Sequence, residues 1–321
     1  MWLCLGIRRA VGCARTSRVQ SLRSAWTRVL AVSGSAALAE HWTTNLSAVV
    51  ATVLLFSSPL LSLETVLEVP FELYQHHLIV TKGSIGPLNG LSLLIDTGTI
   101  PSMVDGRIAR KLRVQAEPST LVAFGQSVAI QSTILNGFRI GARQPGPVPA
   151  GVSDLSYLEG VRIDAIVGLD VLARTSFSID YRKHVLRFSP GDREESVVPL
   201  ELMWPFLTVR ITIAGQQVRL LVDTGSSDLV LFKSRMPAAL SGAPWKGDKT
   251  VQFASGQARL QRLDLRQVRL GAQVWDRLPA WALDQVLDRY PPSIDGILGV
   301  LALGCQRVSL DFERHELGWS P

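Results

Sequence analysis

The chain has 321 residues, of which 47% are apolar, so it can bury a core of ordinary size and a largely disordered chain is excluded. Its net charge is +6, but six arginines and no acidic residue lie in residues 1–39, which leaves 27 basic and 27 acidic side chains in the remainder. Because that remainder is neutral, the charge does not predict a nucleic-acid-binding protein. The cysteines are Cys4, Cys13 and Cys305, so no disulfide can form within residues 40–321 and a disulfide-stapled scaffold is excluded.

Residues 1–41 form a basic leader whose composition is shared by bacterial signal sequences and mitochondrial presequences. Residues 42–63 follow as an uncharged segment, close to the length that crosses a bilayer. We expect a membrane anchor or uncleaved signal there, while a cleaved signal and a buried or transit segment stay open. The basic leader before this segment and Glu64 and Glu68 after it predict that the rest of the chain is extracytoplasmic, with organellar targeting as an open alternative.

An internal duplication organises the rest of the chain. Residues 163–168 (IDAIVG) recur as residues 294–299 (IDGILG), and this match continues without a gap at an offset of 131. Upstream, residues 94–98 (LIDTG) recur as residues 221–225 (LVDTG) at an offset of 127. The repeat predicts two homologous lobes, residues 67–190 and 197–321, joined by a short polar linker.

Within each repeat the local pattern is typical of β structure. Residues 207–213 alternate apolar and polar side chains, and residues 218–222 lead into the second Asp-Thr-Gly triplet. Residues 176–188 and 307–319 are predicted hairpins, and the clearest helix signal is Asp105 as the N-cap of residues 106–112. We therefore predict an all-β protein made of two small closed β-barrel lobes after an N-terminal apolar segment.

The two Asp-Thr-Gly triplets carry the chemistry. Each follows an apolar strand, precedes a hydroxyl residue, and is followed some seventy residues later by an apolar-apolar-Gly element. Hydrolysis of an amide without a covalent intermediate needs a water held between a base and an acid, and two carboxyl groups that share one proton supply both. Glycine lets two such loops approach closely.

These motifs resemble those of the aspartic peptidase family, with its pepsin and retropepsin-like fold, over nearly all of residues 67–321. The resemblance implies a two-lobed, bacterial-type aspartic endopeptidase with a polypeptide substrate, a catalytic dyad of Asp96 and Asp223, and no metal or cofactor. It implies that Thr97 and Thr224 bind the opposite loop and that Thr99 and Ser226 donate to the outer carboxylate oxygens. The remaining loop residues that it implies are Gly98 and Gly225.

Each lobe is shorter than a pepsin lobe, so the chain resembles a retropepsin dimer fused into one polypeptide, and we expect a monomer. No clear flap tyrosine is present. The flap candidates are two hairpins, one at Phe124 and Gly125 and the other at Phe253 and Gly256. Which of the two closes over a substrate stays open.

Other interpretations of the same residues remain. The two motif aspartates could be turn residues of a duplicated scaffold, or the fold could be a catalytically inactive, membrane-anchored peptide-binding module. One lobe could also pair with a lobe of another chain. A second matched pair, Asp164 and Asp295, is expected to serve turns, and His184 and His315 are expected to be exposed turn residues and not metal ligands.

Overall fold

The structure, a computed structural model, describes residues 5–8, 67–123, 126–156, 160–189, 194–236, 247–253, 256–284 and 290–321. The chain divides into one unit formed by Met1–Ala10 and Val66–Pro321 and a second unit, Val11–Thr65, which lies outside the described residues. The predicted apolar segment at 42–63, and the leader apart from residues 5–8, also lie outside them. Within the part of the chain that is described, no helix has the length and apolarity needed to cross a membrane.

The structure is 59% strand and 8% helix, which confirms the predicted all-β class. The first repeat contains β2 (Leu67–Tyr74), β3 (Leu78–Ile85), β4 (Leu88–Ile95), β5 (Ser102–Asp105), α1 (Gly106–Leu112), β6 (Glu117–Ala123), β7 (Gln126–Leu135), β8 (Phe138–Ile140), β9 (Val148–Ser153), β10 (Ala165–Val167), α2 (Leu169–Leu172), β11 (Phe177–Asp180) and β12 (Val185–Phe188). A short strand, β1 (Leu5–Arg8), pairs with β6.

The second repeat contains β13 (Ser196–Pro199), β14 (Glu201–Met203), β15 (Phe206–Ile213), β16 (Gln216–Asp223), β17 (Leu229–Phe232), β18 (Asp248–Phe253), β19 (Gly256–Leu270), β20 (Gln273–Leu283), β21 (Gly296–Gly299), β22 (Arg307–Asp311) and β23 (Glu316–Ser320). Its described residues also form the 3-10 helices η1 (Lys233–Arg235) and η2 (Val300–Leu303). The helix predicted after Asp105 is confirmed, since the Asp105 carboxylate accepts a hydrogen bond from the Arg107 N–H at 2.8 Å.

Six strands of the second repeat close into a barrel. Their order is β15, β16, β21, β17, β20 and β19, and the pairing of β15 with β19 completes the circle. In the first repeat the equivalent closing contact is made by β8, which pairs with β3. Asn136 and Gly137 separate β8 from β7, and Gly137 takes a left-handed φ of 67°. The closed six-stranded barrel of the second repeat confirms this part of the predicted fold class.

A six-stranded antiparallel sheet joins the two repeats, in the order β2, β12, β11, β22, β23 and β13. It includes both predicted hairpins, at 176–188 and 307–319. At its centre Ser178 pairs with Ser309, and these two residues are equivalents in the sequence repeat. The pairing therefore places an approximate twofold axis between β11 and β22. The lobe boundaries at 67–190 and 197–321 stay a prediction, because both repeats belong to one unit.

The strands before the Asp-Thr-Gly loops are enclosed over their last residues. β4 lies between β3 and the parallel strand β10, and β16 lies between β15 and the parallel strand β21. The last apolar residues of β4 and the equivalent residues of β16 have no exposed surface; they are Leu93, Leu94, Ile95, Leu220, Leu221 and Val222. A strand covered on both faces is an unbroken apolar run. Both runs end at an aspartate, which delivers a carboxyl group to the interior.

Candidate active site

The two loops that follow β4 and β16 approach each other so closely that each glycine touches the opposite aspartate. A Cβ atom added to Gly98 would lie 2.6 Å from Cγ of Asp223, and one added to Gly225 would lie 2.8 Å from Cγ of Asp96. Both distances are shorter than any side chain tolerates, so glycine is required at both positions. Asp96 and Asp223 have no exposed surface. The fold thus brings the two sequence-predicted carboxyl groups to one buried contact.

Two threonines hold the loops together through hydrogen bonds that repeat across the twofold axis. The Thr97 N–H donates to Oγ1 of Thr224 and the Thr224 N–H donates to Oγ1 of Thr97, both at 3.0 Å. Each hydroxyl then donates to a carbonyl of the opposite repeat, Thr97 to Val222 at 3.0 Å and Thr224 to Ile95 at 3.2 Å. Because all four bonds are buried, they fix the relative position of the two aspartates.

Asp96 and Asp223 differ in their hydrogen bonds. The Asp96 carboxylate accepts two, from the Gly98 N–H at 2.8 Å and from the Thr99 hydroxyl at 2.7 Å. The Asp223 carboxylate accepts one from the Gly225 N–H at 2.8 Å, and among the described residues no hydrogen-bond partner reaches its buried Oδ2. The outer oxygen is therefore satisfied only at Asp96.

The expectation that Ser226 donates to Asp223 is not met. Its hydroxyl is directed at the carbonyl oxygen of Asp228, 3.4 Å away. The equivalent residue of the first loop, Thr99, has a branched β-carbon that restricts its side-chain torsion, whereas serine turns freely. The methyl group that Thr99 has and Ser226 lacks is thus the sequence difference that goes with the different hydrogen bonding of Asp96 and Asp223.

The two carboxyl groups also differ electrostatically. Burial raises the pKa of Asp96, while hydrogen bonds with Thr99, Asp223 and Gly98 act in the opposite direction. Burial raises the pKa of Asp223 well above its ordinary value, and both the charge of Asp96 and a hydrogen bond with its carboxyl group raise it further. Two carboxyl groups in such contact titrate as a pair. The pair therefore favours one negative charge and one proton, held jointly by the two carboxyl groups.

A charged cluster lies directly after the second loop. Asp228 Oδ2 lies 2.9 Å from the Lys249 ammonium nitrogen and also accepts the Ser227 hydroxyl at 2.9 Å. The Lys249 nitrogen is 4.1 Å from the ring centroid of Trp281, within the range of a cation–π contact. The sequence pattern did not indicate this cluster, because only the folding of β18 onto the barrel brings Lys249 to Asp228.

The predicted flap hairpins are present in the backbone. β6 and β7 pair as far as Ala123 and Gln126, and β18 and β19 pair as far as Phe253 and Gly256. The candidates Phe124 and Gly125 lie outside the described residues. Which hairpin covers a substrate stays a prediction.

Two other pairs of residues that are equivalent in the sequence repeat, one of aspartates and one of histidines, lie at strand contacts and in hairpin turns. Asp164 accepts the Ser92 N–H at 3.0 Å, and Asp295 accepts the Arg219 N–H at 2.8 Å, so both carboxylates bind a neighbouring strand. The exposed residues His184 and His315 both take a left-handed φ of 56° in hairpin turns. Across the residues that the structure describes, no three His, Cys, Asp or Glu side chains form a metal-binding group.

Comparison with protein families gives a match in the second repeat. Residues 209–301 match a family model described as aspartyl protease. The match supports an aspartic peptidase assignment. This aspartyl protease span includes Asp223, the loop that follows it and Gly299, whereas Asp96 lies in the first repeat, outside the span. Comparison with curated proteins gives no match.

Proposed function

We propose that this protein is an aspartic endopeptidase whose dyad, Asp96 and Asp223, activates a water molecule. The observation that carries the proposal is the contact between the two loops, in which each buried carboxyl group lies against the glycine of the other loop. The aspartyl protease match over residues 209–301 supports the same reaction class. Turn aspartates would be solvated, and these two are not.

The hydrogen bonding of the pair suggests a division of roles. Ionised Asp96 acts as the base: it takes a proton from water as the water oxygen bonds to the carbonyl carbon of the substrate. Protonated Asp223 acts as the acid and transfers its proton to the carbonyl oxygen. The tetrahedral intermediate then collapses: Asp96 gives its proton to the leaving nitrogen as the C–N bond breaks, and a hydroxyl of the intermediate returns its proton to Asp223 as the C=O bond re-forms. The products are a carboxylic acid and an amine, and the pair again holds one proton, on Asp223.

For the whole chain we propose the two-lobed, pepsin- and retropepsin-like arrangement. The central pairing of Ser178 with Ser309 and the reciprocal bonds of Thr97 and Thr224 support it, since both relate equivalent residues of the repeat. With both aspartates in one chain, a second chain is unnecessary and the protein would act as a monomer. Sedimentation of the full chain at its working concentration tests this, and a dimer would contradict it.

The proposed substrate is an extended polypeptide bound beside the hairpins through its backbone. The outer edge of β6 supports this mode, because it already pairs with an extended segment of the same chain, β1, in the register Leu5 with Ala123. A strand edge recognises backbone groups regardless of side chain. Selectivity would then come from the surfaces that flank the loops.

The test is cleavage of a mixed peptide library by the full chain, with and without a statine-type inhibitor. Asp96→Asn and Asp223→Asn should each abolish inhibitor-sensitive cleavage while thermal unfolding remains cooperative. The matched control is Asp154→Asn, an exposed carboxylate elsewhere in the first repeat. Full turnover by either dyad variant would refute the proposal. Binding of the inhibitor without cleavage by the wild type would instead favour the inactive peptide-binding module.

Membrane attachment by residues 42–63 is also a proposal, supported by the uncharged run and the basic residues before it. Fractionation of cells that express the full chain should place it in the membrane pellet, with residues 67–321 accessible to added protease from the extracytoplasmic side. Recovery of the full-length chain in the soluble fraction would contradict the anchor.

A further inference from the structure

A polar cluster lies next to the loop that holds Asp96. It is formed by Ser102, the first residue of β5, and Asp170, in the first turn of α2. Oδ1 of Asp170 accepts the Ser102 N–H at 2.8 Å and the Ser102 hydroxyl at 2.9 Å. The Ser102 hydroxyl oxygen in turn accepts the Gly168 N–H at 2.9 Å. Because Ser102 has no exposed surface, these bonds fix the start of β5 to the start of α2.

The cluster reaches Asp96 through Thr99. Leu169, which lies between Gly168 and Asp170, donates its N–H to the Thr99 carbonyl at 2.9 Å. A Cβ atom on Gly168 would collide with the same carbonyl oxygen, so the two backbones are in direct contact. The Thr99 hydroxyl donates to Oδ2 of Asp96 at 2.7 Å. The neighbours of Asp170 thus hold the backbone of Thr99, and the side chain of Thr99 holds the outer oxygen of Asp96.

The second repeat has an apolar pair at the equivalent positions. Ser102 corresponds to Leu229 at an offset of 127, and Asp170 corresponds to Leu301 at an offset of 131. Both leucines pack in the apolar core, so this part of a repeat folds without a polar pair. The polar pair also has a cost, since Oδ2 of Asp170 is buried and has no hydrogen-bond partner among the described residues. Packing alone therefore does not explain Ser102 and Asp170.

The hydroxyl residue of the second loop has different contacts. Gly299, the equivalent of Gly168, donates its N–H to the Asp228 carbonyl at 2.9 Å. The Ser226 hydroxyl is directed at that same carbonyl and not at Asp223. The repeat that has the polar pair is therefore the one whose hydroxyl residue binds its own aspartate.

We propose that Ser102 and Asp170 are positioning residues for Asp96, because they hold Thr99 where its hydroxyl binds the outer carboxyl oxygen. The inference rests on the proposed function, since it takes Asp96 to be one half of a catalytic pair. A hydrogen bond donated to an ionised carboxyl group lowers its pKa. The cluster therefore helps the pair to hold its negative charge at acid pH.

The experiment compares two buried hydroxyl groups of matched geometry in the full chain. Ser102→Ala removes the hydroxyl of the cluster, and Ser176→Ala is the control. The Ser176 hydroxyl also donates to an aspartate, Asp311 at 3.0 Å, and also accepts a backbone N–H, from Phe312 at 3.0 Å. It lies directly before β11, in the sheet that joins the repeats. Both variants should lower Tm, because each leaves a backbone N–H without its acceptor.

Only Ser102→Ala should change the reaction. We expect kcat to fall by roughly ten-fold or more with KM nearly unchanged, because the carboxyl group is displaced while the substrate contacts stay. The acidic limb of the pH profile of kcat should move up by roughly half to one pH unit, as the ionised pair loses a hydrogen bond.

Two variants of Asp170 separate its acceptor atom from its charge. Asp170→Asn keeps Oδ1 as an acceptor and should retain most of kcat and the wild-type pH profile. Asp170→Leu installs the residue of the second repeat and should reproduce Ser102→Ala. An equal loss of kcat in both variants would overturn the inference, because Asp170 would then act through its charge. If Asp170→Leu does not fold, the comparison of Ser102→Ala with Ser176→Ala decides.

If Ser102→Ala has the kcat and the pH profile of Ser176→Ala, the inference is overturned and the proposed function stays intact. If the wild type cleaves no peptide, the proposed function fails, and the titration of the Asp96 carboxyl carbon decides on the cluster. This titration is followed by NMR spectroscopy of the full chain, with Asp96→Asn for assignment. A higher apparent pKa of Asp96 in Ser102→Ala than in Ser176→Ala would support the positioning role, and equal pKa values would overturn it.

Discussion

Replacing Thr97 by valine removes one hydroxyl from the contact between the loops at nearly constant volume. The Thr224 N–H then loses its acceptor at 3.0 Å, and the Val222 carbonyl loses a donor at 3.0 Å. An orphaned buried N–H costs about 1–3 kcal/mol and a lost hydrogen bond about 0.5–1.5 kcal/mol. The free energy of unfolding should therefore fall by about 1.5–4.5 kcal/mol, a large part of the roughly 5–15 kcal/mol typical of a folded domain.

The decrease in the free energy of unfolding is measured by urea unfolding, monitored by circular dichroism. Peptide cleavage is assayed on the same samples. Thr97→Ser keeps the hydroxyl and should restore most of the stability. Thr133→Val is the matched control, because the Thr133 hydroxyl donates to the Gln115 carbonyl at an exposed site and its loss should cost less than about 1 kcal/mol. Thr224→Val should resemble Thr97→Val.

The double variant Thr97→Val/Thr224→Val provides a sharper check. Both hydroxyls belong to one set of four hydrogen bonds, so the two losses should be non-additive, with a coupling energy of about 0.5–3 kcal/mol. Fully additive losses, or a Thr97→Val loss no larger than that of Thr133→Val, would refute the view that these bonds hold the loops together.

Three other variants test the two aspartates, the glycine between them and the sheet that joins the repeats. Gly98→Ala should abolish cleavage and lower stability by about 1–3 kcal/mol, since its Cβ would meet Asp223; unchanged activity and thermal unfolding would contradict this. Asp223 has a raised pKa in the folded state, so the folded protein keeps a proton that the unfolded chain releases as pH rises. The free energy of unfolding of the wild type should therefore fall between the ordinary carboxyl pKa and the folded-state pKa, by about 1.4 kcal/mol for each pH unit. The Tm of Asp223→Asn should therefore exceed the Tm of the wild type by more at pH 7 than at pH 4. An equal difference in Tm at the two pH values would count against the raised pKa of Asp223. Arg307→Met should lower the free energy of unfolding in urea by about 3–5 kcal/mol, because Glu194, whose side chain is 2% exposed, loses its ion-pair partner. A decrease below about 1 kcal/mol would show that buried Glu194 does not need Arg307.

The N-terminal region illustrates how far local patterns reach. An uncharged run of bilayer length and a basic leader predict an anchor, but both features are compositional and are compatible with several fates of the segment. The hairpins at 176–188 and 307–319 and the helix at 106–112 were predictable because each depends on residues that are neighbours in sequence.

The sequence by itself determined the duplication, the all-β class and the two motif loops, because a repeated Asp-Thr-Gly after an enclosed apolar strand places the same carboxyl group twice. Tertiary structure alone decided how the two halves differ. The hydroxyl of Ser226 turns to Asp228 and leaves Asp223 with one fewer hydrogen bond than Asp96, and Lys249 pairs with Asp228 beside the second loop only. Such differences depend on side-chain torsions and on contacts between residues distant in sequence, which neither periodicity nor motif spacing encodes.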